Sequence, residues 1–154
     1  DVVASLRRRF GDAIWLAVDV CLCSHTTHGH CGLLDEAGQH VLNDASVAEL
    51  ARQAAAFAAA GADCVAPSDM LDGRVGAIRA ALAAAGHDHT VLMSYAAKFH
   101  SGFYGPFRVA ADSAPVAGLR DPATYQLDPA RRDDALAAAR RDAAEGADIL
   151  MVKP

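Results

Sequence analysis

Four times along the chain, a stretch with helical spacing of apolar residues gives way to a glycine, a polar residue and a short, continuously apolar run. The junctions are Phe10-Gly11-Asp12 before Ile14 to Val20, Gly61-Ala62-Asp63 before Cys64 to Ala66, Gly86-His87-Asp88 before Val91 to Met93, and Gly146-Ala147-Asp148 before Ile149 to Val152. A glycine just past a helix takes the left-handed position that ends it. Alanine-rich helices are expected over about residues 46–60, 74–85 and 129–145, with Asp44 or Ser46 and Asp128 as N-caps and Pro129 in a first turn. Strands that are apolar on both faces and alternate with helices predict a parallel sheet covered on both sides, and therefore an α/β fold.

Two arrangements meet that pattern, a doubly wound sheet and a closed (β/α) barrel, and both put functional residues at the carboxyl ends of strands. The loops favour the barrel. Val20 to Asn43, Pro67 to Gly73 and Tyr95 to Asp128 follow strands and are long or rich in reactive side chains, whereas the helix-to-strand turns are minimal. No glycine-rich phosphate cradle follows the first strand. Four strands are too few to close a barrel of eight, so residues 1–154 are expected to form the central half of a TIM (β/α)8 catalytic domain. The start at Asp1 and the stop at Pro154, on the end of an apolar run, fit a piece of a longer protein.

Composition narrows the function. The chain is 53% hydrophobic and 21% charged, as a packed domain is, and its net charge of −5 with dispersed basic residues speaks against nucleic-acid binding. No apolar run approaches the roughly 18 residues that span a bilayer, so a cytoplasmic protein without a membrane partner is expected. Of the 14 basic residues only two are lysine, Lys98 and Lys153, and each sits at or just beyond the end of a strand-like run. An arginine-favouring genome explains the other twelve. A lysine that stays lysine against that background is one whose neutral amine is needed, because a guanidinium cannot attack a carbonyl. A salt-bridged surface role is the alternative for either one alone.

Cys21-Leu22-Cys23 and His28-Gly29-His30-Cys31 place three thiols and two imidazoles on one loop after Asp19-Val20. These are ligands that zinc prefers, and three of them leave a fourth position open for chemistry; buried or redox-active thiols are the other reading. Cys64 lies within a strand and reads as core. Ser68 and Asp69 follow another strand and could bind an amine or move protons, while Asp72 and Gly73 suit a turn and helix cap. Phe103-Tyr104-Gly105-Pro106-Phe107-Arg108 joins aromatic walls to a guanidinium suited to a carboxylate, and Arg120 could be a second clamp.

In order and spacing, Asp19-Val20-Cys21-Leu22-Cys23, His28-Gly29-His30-Cys31-Gly32, Ala66-Pro67-Ser68-Asp69-Met70, Lys98-Phe99, Phe103 to Arg108 and Met151-Val152-Lys153-Pro154 resemble the porphobilinogen synthase (5-aminolaevulinate dehydratase) family. The resemblance runs essentially end to end. It implies a TIM barrel, a homo-octamer, and condensation of two 5-aminolaevulinate molecules to porphobilinogen with loss of two waters. By position, Lys153 holds the first substrate and Lys98 the second as Schiff bases, and Cys21, Cys23 and Cys31 bind catalytic Zn2+. Arg108 and Arg120 grip the second carboxylate, Ser68 and Asp69 lie near the first amino group, and Asp19, Tyr104, Phe107 and Gln126 line the site. His25, His100 and Gly102 depart from the family pattern without removing an assigned group. Ala138 stands where some members carry a glutamate for a regulatory magnesium, which argues against that site. A class I aldolase or a zinc-binding structural module are the competing readings. The resemblance also implies that this piece alone lacks residues for the first carboxylate and is not a competent enzyme.

Overall fold

A computed structural model of the chain describes residues 2–103 and 125–154. Helix α1 (Val2–Phe10) passes through one 3-10 turn (Gly11–Ala13) into β1 (Ala17–Val20). Then α2 (Asn43–Ala59) leads to β2 (Cys64–Pro67), α3 (Arg74–Ala84) to β3 (Val91–Lys98), and α4 (Arg132–Ala144) to β4 (Ile149–Lys153). Among the described residues all three strand pairings are parallel, and the order in space is the order in the chain, β1-β2-β3-β4. A doubly wound sheet reverses direction about its first strand, whereas a barrel sets each strand beside the last. The chain is therefore α/β and forms an arc of a TIM barrel.

The core lies between this arc and its helices. Leu50, Ala54 and Ala58 recur at helical spacing on α2, and Val75, Ile78 and Leu82 do so on α3; with Val20, Val65 and Leu92 from the strands they form one buried cluster. Alanine on the inner face of α2 lets its backbone lie close to the sheet. All four residues of β2 are buried, while the edge strands carry exposed positions.

Two of the four glycine junctions lock register at the amino ends of the strands. Asp63 donates its N–H to the Leu16 carbonyl at 3.0 Å and accepts the Leu16 N–H on Oδ2 at 2.7 Å, and Arg7 of α1 donates to the Gly61 carbonyl at 2.9 Å and to Asp63 Oδ2 at 2.5 Å. The same device recurs two strands later. Asp148 donates to the Leu92 carbonyl at 2.9 Å and accepts the Leu92 N–H at 2.8 Å, while Arg79 of α3 donates to the Gly146 carbonyl and to Asp148. Gly61 and Gly146 stand at φ of 103° and 102°, and a Cβ on Gly61 would meet Arg7 Cγ at 3.0 Å. Both positions therefore need glycine for conformation, and at Gly61 a side chain would also require Arg7 to shift.

Several expected details are corrected. Neither Asp44 nor Ser46 caps α2, whose N-cap is Leu42 without a side-chain hydrogen bond. Ser46 instead donates to the Leu42 carbonyl at 2.6 Å and accepts the Leu33 N–H at 2.8 Å, tying the preceding loop to the helix. Asp128 and Pro129 lie before α4 rather than in its first turn. Asp128 Oδ1 accepts the Ala130 N–H at 2.9 Å, shaping a turn, and the N-cap is Arg131. Gly73, at φ 79°, is the N-cap of α3 as expected, but Asp72 does not cap it; its carboxylate lies 3.0 Å from Arg141 of α4. Strand β1 is shorter than the run from Ile14, because the 3-10 turn delays it. Strand β3 continues past Met93 to Lys98, so Tyr95 to Lys98 belong to the strand and not to the loop.

Candidate active site

The carboxyl ends of β1, β2, β3 and β4 bring together Asp19, the Cys21 to Cys31 loop, Ser68 and Asp69, Lys98, and Lys153. Cys21 and Cys23 follow β1 directly, and the loop returns so that Cys31 joins them; the three sulfurs lie within 4.8 Å of one another. Cys21 Sγ and Cys23 Sγ are 3.3 Å apart. Three thiolates around a tetrahedral zinc at about 2.3 Å would stand about 3.8 Å apart, so this cluster fits the ion after small side-chain movements. Its electrostatics suit a soft cation. Hydrogen bonds from Cys21 and then Cys31 push Cys23 down to about 3; the bond to Cys23 raises Cys21 against an opposing one from Cys31, and bonds to Cys21 and then Cys23 raise Cys31. One thiolate is thus shared by two thiols, and ionising all three calls for a neighbouring positive charge. Among the described residues the histidines of this loop are not part of the cluster. His28 Nδ1 accepts the His30 N–H at 3.2 Å, and the buried His30 ring meets the Tyr125 hydroxyl at 3.3 Å. Burial, followed by the charge of Cys31, raises the Tyr125 pKa. Cys64 is fully buried in β2, as expected of a core residue.

Lys98 and Lys153 are direct partners in the β3–β4 register. Lys98 is buried and donates Nζ to the Ser68 carbonyl at 2.5 Å, and Lys153 is half-buried. Solvent reaches Asp19, yet the protein around it raises its carboxyl pKa, opposed by a hydrogen bond from Ser68 and by the charges of Lys98 and Lys153. Asp19 therefore lies within the field of both lysines. Asp69 is fully buried; burial raises its carboxyl to about 7 against the opposing charge of Arg74, and its Oδ1 accepts the Leu71 N–H at 2.7 Å. Gln126 follows Tyr125 and precedes Leu127, whose N–H is bound by the Lys98 carbonyl at 2.9 Å, so it adjoins the end of β3. The positions Tyr104, Phe107, Arg108 and Arg120 lie outside the described residues.

One group at this end of the sheet was not anticipated as functional. Arg74, in the first turn of α3, is fully buried, as are Asp142 of α4 and Ser94 of β3. Arg74 Nη2 is 2.9 Å from Asp142 Oδ2 and donates to Ser94 Oγ at 2.9 Å, and Ser94 donates to Asp142 at 2.5 Å. The available signal was spacing: Arg74 falls in register with Val75, Ile78 and Leu82, so a charge sits on the core face of α3. Ala138 is buried on α4 and offers no ligand.

The family model described as delta-aminolevulinic acid dehydratase matches residues 1–154. The delta-aminolevulinic acid dehydratase of Bos taurus is 53% identical across all of this chain and 46% of its own length. That of Methanothermobacter thermautotrophicus is 52% identical across 99% of this chain and 46% of its own length. A chloroplastic form from Physcomitrium patens is 52% identical over 97% of this chain and 34% of its own. The crystal structure of delta-aminolevulinic acid dehydratase (porphobilinogen synthase) from Toxoplasma gondii, in complex with the reaction product porphobilinogen, superposes with a TM-score of 0.93. It is 47% identical and covers 99% of this chain and 43% of its own. The chain thus spans less than half the length of these relatives, and it belongs to the delta-aminolevulinic acid dehydratase family.

Proposed function

We propose that the full-length protein carrying this chain condenses two molecules of 5-aminolaevulinate to porphobilinogen with loss of two waters, through Schiff bases on Lys153 and Lys98, in tetrapyrrole synthesis. The observation that carries this reading is the pairing of the two lysines at the ends of adjacent parallel strands, with Asp19 in the field of both. One amine alone would serve an aldol-type cleavage; two neighbouring amines serve a reaction that must hold two keto acids at once.

Each amine attacks the ketone of one substrate and forms an imine with loss of one water. Each imine is later exchanged for a bond inside the product, so two waters leave and both lysines are recovered. Lys153 takes the first substrate and Lys98 the second. The Ser68 carbonyl orients the Lys98 amine, and Asp19 is placed to accept or return protons beside both. Ser68 and Asp69 stand near the first amino group; Tyr104, Phe107 and Gln126 line the site, and Arg108 and Arg120 grip the second carboxylate. Cys21, Cys23 and Cys31 would hold zinc, which supplies Lewis acidity and a docking point for the second substrate when bound. A cytoplasmic, reducing setting suits three free thiols, and a homo-octamer is the assembly proposed for the full-length protein. Among the described residues no helix is long and apolar enough to cross a membrane.

The test is porphobilinogen formation from 5-aminolaevulinate by the full-length protein and its Lys153→Arg and Lys98→Arg variants. Arginine keeps the charge and cannot form the imine, so turnover should fall on the order of 10³-fold or more in either variant. Near-normal turnover by Lys153→Arg would overturn the mechanism.

A further inference from the structure

The buried cluster of Arg74, Asp142 and Ser94 has no part in the chemistry above, yet it is built around two features that govern Lys98. The first is a break in the strand. Along β3, Leu92 and Ser94 are fully buried against the helices, and simple alternation would put Ala96 and Lys98 on that same face. The pairing with β4 does not run evenly: Ser94 pairs with Leu150, but Ala97 pairs with Val152 and Lys98 with Lys153. Three steps on β3 match two on β4, which is a β-bulge of one residue. One extra residue reverses the alternation, so Lys98 shares the face of Lys153 instead of pointing at the helices.

The second feature is the turn after β2. Ser68, whose carbonyl receives Lys98 Nζ, is followed by Asp69 and by Met70 at φ 74°, the sole non-glycine at positive φ among the described residues. A methionine held there needs surrounding contacts to keep it.

Arg74 reaches both features with one side chain. Nη2 donates to Ser94 Oγ at 2.9 Å and to the Tyr95 carbonyl, inside the bulge, at 3.3 Å. Nη1 donates to the Leu71 carbonyl, at the far side of the Met70 turn, at 3.2 Å, and Nε lies 3.6 Å from Asp69 Oδ1. Asp142 holds the fork from the third side, at 3.3 Å to Nη1 and 2.9 Å to Nη2. Only a planar guanidinium presents donors in enough directions for this; an ammonium at the same place is a point charge.

We infer that Arg74, anchored by Asp142, is a positioning residue for Lys98: it holds the bulge that turns the lysine toward Lys153 and the turn whose carbonyl receives the amine. The inference rests on the Schiff-base reading of Lys98. A residue that serves stability alone would affect both lysines through the fraction of folded protein. A positioning residue affects the lysine it aims, because displacement by a fraction of an ångström already costs rate.

The experiment incubates full-length protein with 5-aminolaevulinate, reduces with borohydride, and measures the adducts on Lys98 and on Lys153 separately by peptide mass spectrometry. Arg74→Lys, which keeps the charge and loses the fork, and Asp142→Asn, which keeps the shape and loses the anchor, are compared with the unaltered protein as soluble, folded material. In both variants the Lys98 adduct should fall about tenfold while the Lys153 adduct stays within about twofold. A Lys98 to Lys153 ratio that does not change would overturn the inference. If neither variant yields folded protein, Ser94→Ala, which removes one hydroxyl from the cluster, is read by the same ratio: a fall supports the inference and an unchanged ratio overturns it. Absence of adduct from both lysines of the unaltered protein would instead count against the proposed function, so the two failures are distinguishable.

Discussion

Arg74 and Lys98 are both basic side chains drawn below the surface, and they differ in what surrounds them. Arg74 is ringed by two carboxylates, a hydroxyl and two carbonyls, whereas Lys98 donates to the carbonyl of Ser68 at the open strand end. Replacing Arg74 with methionine should strip the buried Asp142 and Asp69 of the guanidinium they share, leaving Asp142 only Arg141 at 3.8 Å, and destabilise the full-length protein by about 3–5 kcal/mol, recovered in part when Asp142 is replaced by leucine as well. Chemical denaturation of the two single variants and the double variant checks this; additive losses would contradict it. The cysteines give a second expectation. Replacing Cys21, Cys23 and Cys31 together with alanine should abolish zinc binding, measured as metal content after dialysis, and unchanged zinc stoichiometry would refute the assignment. The two lysines and three thiols were legible from sequence because their chemistry is rare and their spacing tight. Arg74 was harder to read, because in an arginine-rich chain one more arginine at a helix start is unexceptional, and its only sign of burial was its spacing with Val75, Ile78 and Leu82.

At the scale of elements, the glycine junctions were readable since a helix ends at a left-handed residue whatever the fold around it. What Asp63 and Asp148 do after their junctions was not, because their partners come from strands far away in sequence. Asp63 shows the consequence. Its pKa is lowered, first by the Leu16 N–H and then by Arg7, so the stability it contributes is present at neutral pH and is lost as pH falls through its folded pKa. Asp63→Asn should therefore cost about 1–2 kcal/mol at neutral pH, discounted for partial exposure, and the gap to the unaltered protein should close in acid. Thermal unfolding of the two full-length proteins across pH checks both the size and the sign. The helix starts differ from the sequence pattern for a related reason. Ser46 and Asp128 are good capping residues, but one hydroxyl is taken by a loop and one carboxylate by a turn ahead of the helix. The bulge in β3 leaves no mark that alternation could detect, since Ala96 and Ala97 fit either face.

On the scale of the whole molecule, the order β1-β2-β3-β4 makes, among the described residues, an arc with two open edges, and β4 exposes Ile149, Leu150 and Val152, the last at 68%. Exposed strand edges and apolar faces invite association. The 154-residue chain made alone should self-associate in size-exclusion chromatography and form no porphobilinogen above background, and sustained turnover by a monomer would contradict that. The barrel could be read from the long loops that follow the strands, while the closure of the arc could not, since it depends on residues outside this chain. The central claim is that two lysines share one reaction. Its most direct test is to treat the full-length protein with 5-aminolaevulinate and borohydride and to map the adducts. Substrate reduced onto both Lys153 and Lys98 is the predicted result; an adduct confined to one lysine, as in an aldolase, or none at all, as in a zinc-binding structural module, would contradict it.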